Sequence, residues 1–310
     1  MDISIWAGRQ DVDSAGDTRR LHQIVLPFDE ASQGSPTIIG FACDEGVRRN
    51  HGRVGAAKAP DAIRRMLANL PAHSITRLFD AGDVNCVDGD LEQAQLRLAD
   101  RVQQVLSQDG FPMILGGGHE VAYGTFLGLA AHFDQALRSG RLLIINFDAH
   151  FDLRESDQGS SGTPFLQIAE WCRKAGIAFH YLCYGISRLG NTPALFSRAE
   201  ELGVRFMLDS EIAFGNMAAV EHELVEQLAT ATHVYLTVDL DVLPAEKAPG
   251  VSAPAAYGMQ LDKVEYLIQV VKNSGKMIAA DIAECNPTYD RDGLTAKVAA
   301  RLVHTLIRTD

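Results

Sequence analysis

The sequence predicts an α/β fold, a three-layer α/β/α sandwich around a mainly parallel sheet of about eight strands. Three observations lead there. Short runs rich in Ile, Val and Leu are apolar on both faces, as strands covered on both sides must be. Segments of helical period alternate with them, which favours βαβ crossovers. Several of the apolar runs end in aspartate or histidine, the pattern of a ligand site at the carboxyl edge of a parallel sheet.

Taken in order, residues 1–35 are polar and weakly periodic and are expected to form an arm or loop. Strand candidates follow at 37–43 (TIIGFAC), 77–80, 111–115 (FPMIL), 141–147 (RLLIINF), 179–184, 204–208, 234–239 (VYLTVD) and 276–282 (KMIAADI). The run APDAIRRML places Pro60 at a helix start. Residues 90–108 set Leu91, Leu96, Leu98, Val102 and Val105 on roughly one face of a helix. Further helices are expected over 120–137, 164–175, 219–230, 261–273 and 294–308. No repeat, low-complexity tract or linker interrupts the pattern, so residues 1–310 are expected to form a single domain.

The composition is ordinary: 46% hydrophobic and 22% charged over 310 residues, enough chain to bury a core without staples. The net charge of −12, with Lys and Arg scattered, argues against a nucleic-acid partner. No apolar stretch reaches the ~18 residues of a membrane span, and the start, MDISIWAGRQDVDSAGD, lacks the form of a signal peptide. Five cysteines without CxxC spacing read as reduced thiols. The expected setting is cytoplasmic.

Three strand ends carry the chemistry. The run 141–147 leads into DAHFD, with Asp148, His150 and Asp152 at every second position. If extended geometry persists these three face one point; otherwise a turn must gather them. VYLTVDLD ends in Asp239 and Asp241, again two apart. MILGGGHE runs through three glycines, which let backbone turn tightly, into His119. A lone Asp after a strand is usually a cap or turn residue; two His and four Asp at three strand ends are not explained that way. Four clustered carboxylates repel and are costly to desolvate. Two divalent cations offset them, and a carboxylate–imidazole set without thiolate suits Mn²⁺.

GGGHE, DAHFD and DLDVLP…APG, together with DIAECNP and DEGVRRNHGRVGAAKAPDAIR, resemble the signature regions of the ureohydrolases (arginase, agmatinase and formimidoylglutamase) from about residue 40 to the C-terminus. The resemblance implies an arginase-like fold with two Mn²⁺ per chain. It implies His119 and Asp152 on the first metal, Asp148 and Asp239 bridging, and His150 and Asp241 completing the second. It implies that Glu284 faces the cationic nitrogens of an amidine, that Asp241 relays a proton, and that the protein is a homo-oligomer.

The departures sharpen the reading. Gly118 and Glu120 stand where the family motif GGDHS has Asp and Ser. The stretch after DAHFD, ESDQGSSGTPFLQ, lacks the histidine that arginases carry there, which puts arginine hydrolysis in doubt. Arg154 and Arg188 suit substrate carboxylates. The whole pattern is most similar to the formimidoylglutamase branch, and the expected reaction is hydrolysis of N-formimino-L-glutamate to L-glutamate and formamide in histidine breakdown. The alternatives are a guanidino substrate (that of a guanidinobutyrase, agmatinase or arginase), a silent binding protein that has lost a ligand, and a one-zinc deacylase of the related deacetylase fold. His51 and His180 are further pocket candidates; the other histidines are read as structural.

Overall fold

The computed structural model describes residues 3–14 and 16–308. Its nine strands are β1 (Val25–Pro27), β2 (Pro36–Ala42), β3 (Leu78–Asn85), β4 (Phe111–Leu115), β5 (Leu142–Phe147), β6 (Tyr181–Ile186), β7 (Arg205–Leu208), β8 (His233–Asp239) and β9 (Met277–Ala283). They form one sheet in the order β1-β3-β2-β4-β9-β8-β5-β6-β7, and every pairing is parallel. The ninth strand, beyond the eight expected, is β1. It lies inside the stretch expected as an arm, is three residues long, and ends at Pro27 on the sheet edge, where a missing N–H costs no ladder bond.

The helices are α1 (Glu45–Arg49), α2 (Ala59–Ala68), α3 (Leu91–Leu106), α4 (Val121–His132), α5 (Asp134–Ser139), α6 (Pro164–Ala175), α7 (Pro193–Glu201), α8 (Asp209–Phe214), α9 (Met217–Thr230), α10 (Leu261–Asn273) and α11 (Leu294–Ile307). Their ends follow local chemistry. Asp90 caps α3 by accepting from the Gln93 N–H. Pro60 and Pro164 sit in the first turns of α2 and α6, and Gly176 closes α6 with a left-handed φ of 69°. The helix expected over 120–137 is two, broken at Phe133. Leu96, expected on the buried face of α3, is 48% exposed, whereas Leu98, Val102 and Val105 are buried.

Two apolar clusters sandwich the sheet. One packs Ile63 and Leu67 of α2, Leu224 of α9, Leu267 of α10 and Val303 of α11 against one face. The other packs Leu98 and Val102 of α3, Phe126 of α4 and Ile168 of α6 against the opposite face. Burying a side chain of this size is worth ~1.5–3 kcal/mol. That covering makes the central strands mostly apolar, as in the all-buried Leu142–Phe147, where Asn146 is the one polar residue. It also concentrates polar chemistry toward the carboxyl edge. Among the described residues no helix is long and apolar enough to cross a membrane.

Candidate metal centre

The four strands in the middle of the sheet, β4-β9-β8-β5, are adjacent, and each delivers polar side chains at its carboxyl end. His119 follows β4, Glu284 follows β9, Asp239 and Asp241 close β8, and Asp148, His150 and Asp152 follow β5. The glycine run after β4 lets the chain pass against its neighbour. A Cβ at Gly117 would overlap the Cys43 carbonyl oxygen, and one at Gly118 would overlap the Glu120 carboxylate.

Beyond Phe147 the chain is no longer extended. Asp152 adopts φ 49°, so a turn, rather than continued strand geometry, gathers the DAHFD side chains. Glu284 is likewise left-handed, at φ 66°. Non-glycine residues in this region cost energy and tend to cluster at functional sites. Asn191 ties the turn down: its Oδ1 accepts from the Phe151 N–H, and its Nδ2 donates to Ala149 O and Ser187 O.

All six residues expected as ligands come together. His119, Asp148, Asp152 and Asp239 place ligand atoms within 4.8 Å of one another, and Asp148, His150 and Asp241 do the same; Asp148 belongs to both groups. His119 Nδ1 lies 3.0 Å from Asp148, 2.9 Å from Asp152 and 3.2 Å from Asp239 oxygens. His150 Nδ1 lies 3.1 Å from Asp241 and 3.6 Å from Asp148. Only His150 has appreciable exposure, its side chain being 24% exposed.

Some carboxylate oxygens are already satisfied by the chain. His150 N–H donates to Asp148 Oδ1, Asn146 Nδ2 to Asp148 Oδ2, and Asp241 N–H to Asp239 Oδ1. His119 Nδ1, by contrast, faces three carboxylate oxygens without a well-formed hydrogen bond to any, and is buried. One N–H cannot serve three acceptors, whereas one cation can. The donor set of oxygens and imidazole nitrogens fits two divalent ions of the Mn²⁺ kind.

The electrostatics agree. Burial, then repulsion from Asp241 and Asp148, pushes Asp239 well above the ordinary carboxylate range. Burial and the Asp148 charge push Asp152 up to about 6. Burial raises Asp241 as well, against the pull of His150. Burial would raise Asp148, but His119 and His150 hold it below its usual value. Burial lowers His119, and the three carboxylates around it more than reverse that.

The sequence profile of the arginase family matches residues 35–308. The chain belongs to the arginase family. It is 56% identical over 306 residues to a formimidoylglutamase of Cupriavidus pinatubonensis, covering 97% of each chain, and 53% identical over 314 residues to one of Paraburkholderia xenovorans, covering 98% of each. Its fold superposes on the crystal structure of Trypanosoma cruzi formiminoglutamase with Mn²⁺ (TM-score 0.81, 26% identity, 94% and 98% of the two chains). It also superposes on formimidoylglutamase from Bacillus subtilis (TM-score 0.82, 24% identity, 95% of each), a likeness of fold. Like its relatives, this arginase-family chain is a hydrolase acting on a C–N bond of an amidine.

A cleft of ≈ 460 Å³ opens onto the arginase-family centre at His150, lined by Ser187, Arg188, Ser210, Pro254 and Tyr257 among others. Arg188, whose guanidinium stands 5.7 Å from the Phe196 ring centroid, is therefore at the entrance. Arg154 is exposed, with its backbone N–H on Gly162 O and its side chain against Gly162, and it is not among the residues lining that cleft. His180 begins the run into β6 at the amino edge of the sheet, away from the centre, and His51 is exposed.

Glu284 is buried. Its Oε1 accepts from the His119 N–H at 3.0 Å and its Oε2 has no partner. Burial and the charges of Asp239, Glu120 and Asp241 raise its pKa strongly. Sequence reasoning missed Asn191, Asn146, Thr237 and Glu120. The last fills the space a side chain at 118 would need and accepts from the Gly46 N–H. Its signal was present in the paired departure of Gly118 and Glu120 from the family motif.

Proposed function

We propose that this protein hydrolyses N-formimino-L-glutamate to L-glutamate and formamide, a step of histidine breakdown, with two Mn²⁺ held by His119, Asp148, His150, Asp152, Asp239 and Asp241. The observation that carries the reading is the convergence of those six side chains from three strand ends, those of β4, β5 and β8, in a chain most of whose length aligns with proteins named formimidoylglutamase. The five cysteines are all free, in keeping with a cytoplasmic setting, and by family resemblance the chain assembles as a homo-oligomer.

Bound there, two Mn²⁺ supply an attacking water of lowered pKa and charge stabilisation at the reacting carbon. The chain does the rest. The unpartnered Oε2 of Glu284 accepts an N–H of the amidinium head. Arg188 at the cleft entrance pairs with a substrate carboxylate and fixes the formimino carbon over the centre, and the exposed Arg154 contributes less. The water oxygen bonds to that carbon and the bond to the glutamate nitrogen breaks. Asp241 takes the water's proton and passes it to the departing nitrogen.

The test is substrate profiling of the Mn²⁺-loaded protein, assaying formamide against urea. Formamide from N-formimino-L-glutamate at the highest kcat/KM is expected. Urea from agmatine, guanidinobutyrate or arginine at a higher kcat/KM overturns the assignment.

A further inference from the structure

The cleft beside His150 runs outward along the carboxyl edge of the sheet. His150 follows β5, Ser187 and Arg188 follow β6, and Asp209 and Ser210 follow β7, all lining one cavity. β5, β6 and β7 are successive neighbours, so Asp209 stands two strand spacings, about 10 Å, from the end of β5. Asp209 is only 9% exposed. Its Oδ1 accepts from the Ser210 N–H at 2.6 Å, and among the described residues its carboxylate has no second hydrogen bond and no ion pair. A place in the first turn of α8 suits an acid, but burial against a substrate cleft is no part of that role. A buried carboxylate without a counter-ion is costly, and burial raises its pKa. A cation arriving in the cleft would offset both.

The reaction itself makes such a cation. In the substrate the positive charge is spread over both nitrogens of the amidinium, at the metal centre. Water adds its oxygen to the formimino carbon, the bond from that carbon to the glutamate nitrogen breaks, and formamide leaves neutral. The charge and the water's protons are then accounted for by an ammonium on the glutamate nitrogen. Substrate and product share two carboxylates and differ in that ammonium. We propose that Asp209 and Arg188 form an outer subsite of the cleft that takes the product: Asp209 binds the ammonium, and Arg188 a carboxylate, of an α-amino acid on its way out. The subsite reads an ammonium–carboxylate pair through two charge-assisted contacts, and the formimino substrate has no ammonium to offer. The proposal rests on the reading of the substrate as an N-formimino amino acid.

The test is isothermal titration calorimetry of Mn²⁺-loaded, full-length protein with L-glutamate and with glutarate, the same dicarboxylate without the ammonium. The parent is expected to bind L-glutamate about tenfold or more tighter than glutarate, as for one charge-assisted contact. In Asp209→Asn that ratio is expected to fall to about threefold or less, through weaker binding of L-glutamate. Asp209→Glu keeps the charge and is expected to retain part of the preference. Arg188→Ala is expected to weaken both ligands and leave the ratio. Should Asp209→Asn fail to fold by circular dichroism, Asp209→Ser makes the same comparison. Equal binding of the two ligands by the parent, or an undiminished ratio in the folded variants of Asp209, overturns the proposal. Binding is read without turnover, so a parent that prefers L-glutamate by way of Asp209 yet yields urea rather than formamide keeps the amino-acid subsite and overturns only the substrate reading.

Discussion

Two regions of this protein cluster carboxylates around a buried aspartate, and they solve the problem differently. Near the sheet edge, Asp80 and Asp83 face Arg64. The Arg64 Nε and Nη2 donate to the two Asp80 oxygens at 2.8 and 3.0 Å, its Nη1 donates to Asp83 at 2.5 Å, and Trp6 Nε1 adds a bond to Asp80 at 2.7 Å. The buried Asp80 charge is balanced by the chain itself, through Arg64. At the centre of the sheet, Asp148, Asp152, Asp239 and Asp241 have two imidazoles and no guanidinium or ammonium within ion-pair distance among the described residues. The first arrangement is a structural clamp that ties the N-terminal segment to β3. The second is a candidate metal site, whose charge cations from outside would balance.

The largest effect expected from that contrast is at the centre. Asp239→Asn removes a charge shared among the strand ends and is expected to cost roughly 100-fold or more in Mn²⁺ affinity, and activity with it. Full turnover in Asp239→Asn would break the comparison. In the clamp, Arg64→Met strands the buried Asp80 and is expected to destabilise the fold by about 3–5 kcal/mol. Because the clamp is separate, the folded fraction should still bind metal as the parent does, as denaturant titration and metal analysis together would report.

The pH response sharpens the contrast. Asp152 is raised to about 6, and Asp239 and Asp241 are raised too. A raised carboxylate binds more protons in the folded than in the unfolded state, so it weakens the fold as pH rises from the ordinary carboxylate value through its folded value. The raised histidines His119 and His150 act in the same sense, since their stabilisation is lost as pH rises toward their folded values. Asp148, held low, acts oppositely, but its contribution is complete above the ordinary carboxylate range. Metal-stripped protein is therefore expected to lose Tm between about pH 5 and pH 8, with Mn²⁺ restoring progressively more of it as pH rises. A Tm gap between loaded and stripped protein that narrows over that range would contradict this.

The smallest effects concern the arginines. Arg188→Ala is expected to raise KM for N-formimino-L-glutamate by about tenfold with kcat little changed, as for one lost charge-assisted contact. Arg154→Ala, farther from the cleft, is expected to raise it by less. The reverse ranking would move the carboxylate subsite toward the Asp152–Gly162 turn.

Much of this was readable from residues alone. The double-sided apolar runs announced a covered parallel sheet because burial on both faces leaves no room for alternation. The acids at strand ends announced the centre because nothing apolar explains them. What escaped detection depended on distant partners. Strand β1 is only three residues long, so it lacks any period, and its pairing with Leu78–Asp80 fixes it. The short helices α1 and α8 are similarly held by contacts rather than pattern. The arginines show the same limit: both suit a carboxylate by type, and only the placement of the cleft ranks them.

The contrast turns on whether the second cluster takes up two external cations where the first takes none. Counting Mn²⁺ per chain on the metal-stripped and reloaded parent protein addresses it most directly. Two bound ions per chain are expected, falling to one or none in Asp148→Asn, whose carboxylate both groups share. A parent that turns over the formimino substrate at full rate with one ion or none would contradict it.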